Sequence, residues 1–314
     1  MFSKIVKRLS RLFHPNQNMA PTAREYINYL RASYPNNHNY KVKKTRLIPT
    51  RELAKRYNRV RDLLPQPLTS FLDIGSSKGF FVFAAGEDPN CTRCLGIDVY
   101  QYDIDVCRWL QEHLHKDKVR FEFLRLHELA DRIDEFGGPF QTVLMLNMYQ
   151  YLYFGSVRNP DRYLDHDEIF KYLRKICSER IIFNNRVNLA DCQNVEQIEK
   201  ASEHSQNYSE EKIITAASHY FNVVPHGKIG HYPLWTMDVK EAAASTVSAA
   251  ELKEVFEVWA NDLDFRAQFK KNPEKALQES GFSFDAAKLQ KIKSLLKQQE
   301  SHIKNEALDK RESR

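Results

Sequence analysis

The segment Phe71-Leu72-Asp73-Ile74-Gly75-Ser76-Ser77-Lys78-Gly79-Phe80-Phe81 constrains the fold of this chain more than any other. An apolar run carries Asp73 near its end, glycines at 75 and 79 break it, and a helical stretch to Ala85 follows. A second apolar run, Cys94-Leu95-Gly96-Ile97, ends on Asp98, 25 residues after Asp73. Strand, glycine turn, helix, strand and acid in that order predict parallel strands that present a nucleoside ligand at their carboxyl ends. The glycines let backbone approach the ligand. The strand-terminal acid has the acceptor capacity for two ribose hydroxyls. A dinucleotide site fits less well, because Ser76 and Ser77 stand where Gly-x-Gly-x-x-Gly needs a second early glycine.

The rhythm continues downstream. Strands are expected near 70–74, 93–98, 119–124, 141–147 and 180–185, with helices near 79–86, 102–115, 127–135 and 166–177. Such alternation predicts an α/β fold, a mainly parallel sheet with helices on both faces. Ser209 opens a further helix to about Tyr220, and two runs at 221–224 and 232–237 flank a turn containing Gly227 and Gly230. Upstream, Thr22 and Glu25 have capping-box spacing for a helix to about Ser33, and a second helix is expected from Thr50 to about Leu64, closed by Pro65 and Pro67.

With the glycine turn, Asp98 and a closing hairpin, residues 45–240 resemble class I (Rossmann-like) S-adenosylmethionine-dependent methyltransferases. The resemblance implies a seven-stranded sheet with lead-in helices, and S-adenosylmethionine (SAM) as cofactor. It assigns Asp73 to the methionine ammonium, Gly75 and Gly79 to close backbone approach, Ser76 to the methionine carboxylate and Asp98 to the ribose. Leu126 or His127 falls beside adenine, where the family often has an acid. The segment after the fourth strand, Leu146-Asn147-Met148-Tyr149-Gln150-Tyr151, falls beside the transferable methyl, so Asn147 and Tyr149 are contact candidates. His166 is one candidate base and His231 another; Asp165-His166-Asp167-Glu168 is a poor metal set, since consecutive helical residues point apart.

The acceptor is constrained mainly by what is missing. No Asn/Asp-Pro-Pro-aromatic motif favours exocyclic base amines, and no Lys-Asp-Lys-Glu set favours ribose oxygens. The expectation is O-methylation of a small molecule, lipid or natural-product intermediate. Two alternatives are an RNA methyltransferase and a catalytically inert scaffold that binds a partner.

Charge is unevenly spread. Residues 1–60 hold 14 Lys or Arg against two acids, giving this segment +12 and leaving −6 for the rest of a chain whose net charge is +6. Residues 1–13 place Phe2, Ile5, Val6, Leu9, Leu12 and Phe13 on one helical face and Lys4, Lys7, Arg8 and Arg11 on the other. That pattern fits an interfacial helix on an anionic membrane or one that packs on the domain. Lys43, Lys44 and Arg46 are the candidate phosphate grip for RNA. Five cysteines without framework spacing fit a reducing cytosol, with peripheral membrane attachment through residues 1–13. Cys91 and Cys94 read as two thiols at a strand mouth rather than half of a metal site.

The organisation expected is a basic extension over 1–45, the catalytic domain over 46–240, a small-residue linker over 241–250, a helical appendage over 251–300 and a disordered tail over 301–314. The appendage is a possible docking module for a protein partner. Its segment 265–282 distantly resembles leader-peptide modules of ribosomally made natural products, with Asn272-Pro273, Ala276-Leu277 and Gly281-Phe282 as the shared features.

Overall fold

The computed structural model describes residues 22–157, 159–192, 201–240 and 249–282, and beyond these residues 284, 288, 289, 292, 293 and 296. The amphipathic stretch 1–13, linker residues 241–248 and the tail 301–314 lie outside the described residues. The chain divides into two compact units, 1–239 and 240–314.

The first unit opens with helix α1 (Ala23–Ala32), whose Thr22 and Glu25 form the expected capping box. A two-stranded antiparallel ribbon follows, β1 (Tyr40–Lys43) and β2 (Arg46–Pro49), then α2 (Arg51–Arg61). The ribbon was not anticipated, because its outward positions are almost all Lys or Arg and mask the alternation. Tyr26 and Leu30 of α1 and Tyr40 of β1 are buried in the same core as the central strands. Residues 22–45 are therefore part of this unit rather than a separate extension.

The main sheet comprises β3 (Ser70–Ile74), β4 (Arg93–Asp98), β5 (Val119–Phe123), β6 (Phe140–Leu146), β7 (Cys177–Asn184), β8 (Phe221–Ile229) and β9 (Tyr232–Val239). Their spatial order is β5-β4-β3-β6-β7-β9-β8. The first five are parallel; β9 runs antiparallel to β7 and to β8. Side chains alternate between two cores. Leu72, Val143, Ile181 and Phe183 enter one, while Phe71, Leu144 and Ile182 enter the other.

The second core is covered by α1, α2, α3 (Phe80–Gly86) and α4 (Gln101–Leu114), and the first by α5 (Leu126–Asp131), α6 (Tyr149–Phe154), α7 (His166–Ile176) and α8 (Glu210–Tyr220). The strand order reverses beside β3, which pairs with β4 on one side and β6 on the other. In open α/β sheets the crevice at such a reversal is where ligands bind.

The second unit contains α9 (Ala249–Asn261), α10 (Leu263–Lys271) and α11 (Pro273–Glu279). Val255, Trp259, Phe265, Phe269 and Leu277 form its own small core. Asp262 and Asn272 cap α10 and α11, and Gly281 leaves the last helix at φ +84°. Helix α10 was not expected as a separate element, although Asn261 and Asp262 are turn- and cap-forming residues and Asp262 caps it.

Candidate functional site

Two clefts meet at Gly75. The first has a volume of about 100 Å³ and is lined by Ile97, Asp98, Leu126, His127, Met148 and Tyr163, among others. The second is narrow, about 10 Å³, and is lined by His38, Arg56, Asp73, Ser76 and Lys78, with Leu146 and Phe81. Gly75 lines both. Its φ of +73° suits glycine, and a Cβ there would lie 2.3 Å from Met148 Cγ and Sδ. The Met148 side chain thus already fills the space that a side chain at Gly75 would need.

The turn itself is tied inward. Gly75 and Ser76 N–H both donate to Ile97 O at 2.9 and 3.0 Å, Gly79 N–H donates to Ser76 O at 2.8 Å, and Ser77 N–H donates to Asp98 Oδ2 at 2.8 Å. A phosphate nest needs such groups free, so the geometry supports the preference for a nucleoside over a dinucleotide.

Asp98 ends β4 in the first cleft. Tyr100 N–H donates to its Oδ1 at 3.0 Å, and each carboxylate oxygen keeps acceptor capacity. Burial and the nearby Asp103 push its pKa up to about 6, while backbone N–H donors, Ser77's among them, pull it down. Across the cleft, Arg125 holds Asp161 at 2.6 Å, and His127 Nδ1 lies 3.0 Å from Tyr163 Oη. Leu126 and His127 both face the first cleft, as the sequence proposed for the adenine side.

Asp73 lies in the second cleft, 3% exposed. Burial, then Asp98, raises its pKa well above the carboxylate range, and Arg56 opposes the shift. Arg56 comes from the buried face of α2, with Leu53 and Val60 one turn away on either side. Its Nη1 reaches Asn37 O at 3.4 Å, and its Nη2 is buried with no hydrogen-bond partner among the described residues. Ser76 Oγ is likewise buried without a partner. Burial lowers the Arg56 pKa to about 10.

Lys78 is only 1% exposed and is held by carbonyl oxygens of Ser33 (3.0 Å) and Pro35 (3.4 Å) and by Asn39 Oδ1. Tyr40 Oη donates to Lys78 O at 2.5 Å. Through Lys78, residues 33–40 are fastened to the glycine turn. Sequence reasoning missed Arg56, His38 and Lys78 as site residues. Only the 3–4 spacing of Arg56 from Leu53 and Val60 marked an arginine on a buried face.

Other expected site residues lie elsewhere. Gly79 lines neither cleft; it starts α3 at φ +75°, where a Cβ would meet Phe121 Cζ at 2.7 Å and Cys107 Sγ at 2.9 Å. Its absent side chain serves helix–sheet packing. Asn147 adopts φ +58°, and its Oδ1 is buried with no hydrogen-bond partner among the described residues, yet it lines neither cleft.

Tyr149 is fully buried, its hydroxyl 2.7 Å from His166 Nδ1, while His166 Nε2 lies 2.9 Å from Asn207 O. Nε2 therefore carries the proton and Nδ1 accepts from Tyr149. Both rings stack within the core, on Phe170 and Tyr153 respectively, and neither reaches a cleft. The pair is a satisfied core hydrogen bond, which corrects the reading of His166 and Tyr149 as acceptor-side groups. His231 is exposed in the turn between β8 and β9.

Asn185, which the sequence gave no reason to single out, fixes the loop after β6. Its Oδ1 accepts from Met148 and Tyr149 N–H at 2.6 and 2.9 Å, and its Nδ2 donates to Met145 O at 2.9 Å. The Cys91 and Cys94 thiols touch at 3.3 Å, and no group of residues able to hold a metal occurs among the described residues. No helix among the described residues is long and apolar enough to cross a membrane.

No family model and no curated protein matches this sequence. Among solved structures, the bifunctional kinase-methyltransferase WbdD is 18% identical over 59% of this chain, which spans only 38% of WbdD, at TM-score 0.41. The N-methyltransferase NodS from Bradyrhizobium japonicum WM9 is 16% identical, with 60% of this chain and 97% of NodS covered and a TM-score of 0.42. The PH0226 protein from Pyrococcus horikoshii OT3 is 16% identical, with 61% and 92% covered and a TM-score of 0.43. Values this low leave the assignment to the sheet itself. By its strand order and its single antiparallel β9 against β7, the chain has a Rossmann-like α/β fold with a seven-stranded sheet and helices on both faces.

Proposed function

We propose that this chain is an S-adenosylmethionine-dependent methyltransferase. The observation that carries the reading is the pair of clefts joined at Gly75, with an acid in each. The residues fit the cofactor's two ends. Asp98 would accept from the ribose hydroxyls, with Ile97, Leu126 and His127 around the adenine. Asp73 would face the methionine ammonium, and Ser76, whose buried Oγ lacks a partner among the described residues, lines the same cleft.

Bound SAM supplies a methyl group already activated on a sulfonium, so the protein's task is alignment and exclusion of water. Gly75 lines both clefts, Met148 packs directly against it, and Asn185 holds the Met148 backbone in place. The expected acceptor is the oxygen of a small molecule, lipid or natural-product intermediate. Titration with SAM tests the cofactor reading. Micromolar binding that Asp98→Ala abolishes supports it, and a folded wild-type chain that binds no SAM refutes it.

A second reading, RNA as the acceptor, is favoured by the ribbon. Lys41, Lys43 and Arg46 are exposed, and Lys43 stands directly opposite Arg46. Like charges in that register are destabilising unless an anion lies over them. If phosphates do, Lys43→Gln with Arg46→Gln weakens RNA binding and flattens its salt dependence. Equal binding by both proteins removes this reading.

A further inference from the structure

The second cleft holds more polar groups than its own structure satisfies. Burial of an arginine is costly unless its donors are met, yet Arg56 is 7% exposed and its Nη2 has no partner among the described residues. Ser76, which lines the same cleft, has a buried Oγ that also lacks a partner among the described residues and lies close to Gly96 of β4. Lys78 is not part of this deficit. An ammonium has three donors, and three oxygens from residues 33–39 accept from it. Asp73 lies across from Arg56, close enough for each to act on the other's pKa.

The cleft therefore presents one cationic donor with an unpartnered N–H, one hydroxyl and the Asp73 carboxyl, with His38 at its wall. Burial, Arg56 and Lys78 all depress the His38 pKa, so its ring is neutral and donates or accepts without adding charge. A group matching this arrangement has a planar anion for the guanidinium and a cation whose charge draws the buried Asp73 carboxyl into its ionised form. It is a zwitterionic α-amino acid.

We propose that Arg56 and Ser76 seat the α-carboxylate of the cofactor's amino-acid arm, with His38 completing the seat, so that the cleft selects ligands that retain this carboxylate. The proposal rests on the SAM reading and adds a recognition element supplied from outside the glycine motif. Arg56 is delivered by α2 and His38 by the turn between α1 and β1. Both are held against the motif by contacts made within residues 33–40: Asn37 O takes Arg56 Nη1, and Lys78 gathers Ser33, Pro35 and Asn39.

The test uses calorimetric titration of the full chain with two probes. S-adenosylhomocysteine carries the amino-acid arm; 5′-methylthioadenosine has the same nucleoside and lacks the arm. The wild type should bind S-adenosylhomocysteine more tightly. Arg56→Gln should weaken S-adenosylhomocysteine by roughly ten- to a hundredfold, the range of a hydrogen bond to a charged group, and leave methylthioadenosine within about twofold of the wild type. Ser76→Ala should show the same selectivity with a smaller loss, and Arg56→Lys should recover part of the binding.

Unchanged S-adenosylhomocysteine affinity in Arg56→Gln overturns the proposal. So does parallel loss of both ligands, or wild-type affinity that is equal for the two. A wild type that binds neither ligand overturns the cofactor reading itself, a separate failure.

Discussion

Asp98 offers a pH test of the nucleoside cleft. Its pKa, pushed up to about 6 by burial and Asp103, puts its titration inside the range where the protein can be handled. Ionised, it accepts from two hydroxyls; protonated, it turns one acceptor into a donor. With a pKa of about 6, the carboxylate is fully available at pH 8 and roughly one-tenth ionised at pH 5. Affinity for a ribose diol should therefore fall about tenfold across that interval, with most of the loss below pH 6.

Methylthioadenosine is the right ligand, because it leaves the second cleft and the raised carboxyl of Asp73 out of the measurement. Asp98→Asn should bind it about ten- to a hundredfold more weakly at pH 7.5 and with no pH dependence from this site. Stability runs the other way. A carboxyl whose folded pKa lies above its unfolded value contributes stability that is present at low pH and lost as pH rises through about 6. Ligand-free protein should thus gain from the protonation that weakens the ligand. A wild-type affinity flat from pH 8 to 5, or an Asp98→Asn protein that binds like the wild type, refutes the assignment of Asp98 to the ribose.

Three further outcomes follow from the contacts. Gly75→Ala, strained at φ +73° and driven into Met148, should lower stability by about 1–3 kcal/mol in denaturant titrations and abolish binding of both nucleoside probes; retention of both affinities would show that the ligand does not approach Gly75. Tyr149→Phe removes the donor to His166 Nδ1 and should cost about 1–3 kcal/mol by thermal or urea unfolding while leaving S-adenosylhomocysteine affinity unchanged. A lost affinity with unchanged stability would return Tyr149 to the site. Asn185→Ala breaks three hydrogen bonds at the end of β6 and should both lower the unfolding midpoint and weaken methylthioadenosine, through the Met148 wall; normal binding by this variant would detach Met148 from the site.

What the sequence made legible is the part governed by local chemistry. β3 and β4 span 70–74 and 93–98 as expected, because an apolar run bounded by glycine or an acid leaves little choice of register. The caps at Thr22, Ser209 and Asn272 stand where their spacing put them. The expected helix over 127–135 is split instead, an α-helix to Asp131 and a short 3-10 turn at Ile133–Phe136. Strand β7 starts at Cys177 rather than 180, since its first residues follow α7 with no Pro or Gly to separate them.

The site was legible only where it follows the chain. Asp73, Gly75, Ser76 and Asp98 belong to one continuous motif, and all four line a cleft. Arg56 and His38 reach it through the tertiary fold, and only the spacing of Arg56 from Leu53 and Val60 hints that it sits on a buried face. Tyr149 and His166 misled for the converse reason. Polar aromatics after β6 read as a site until the structure pairs them with each other in the core.

The most direct test of the whole account is a crystal structure of the full chain with S-adenosylhomocysteine. The ribose hydroxyls should lie on Asp98, the carboxylate on Arg56 and Ser76, and the thioether sulfur beside Gly75. A ligand bound away from the two clefts, or bound with its ribose turned from Asp98, would contradict it.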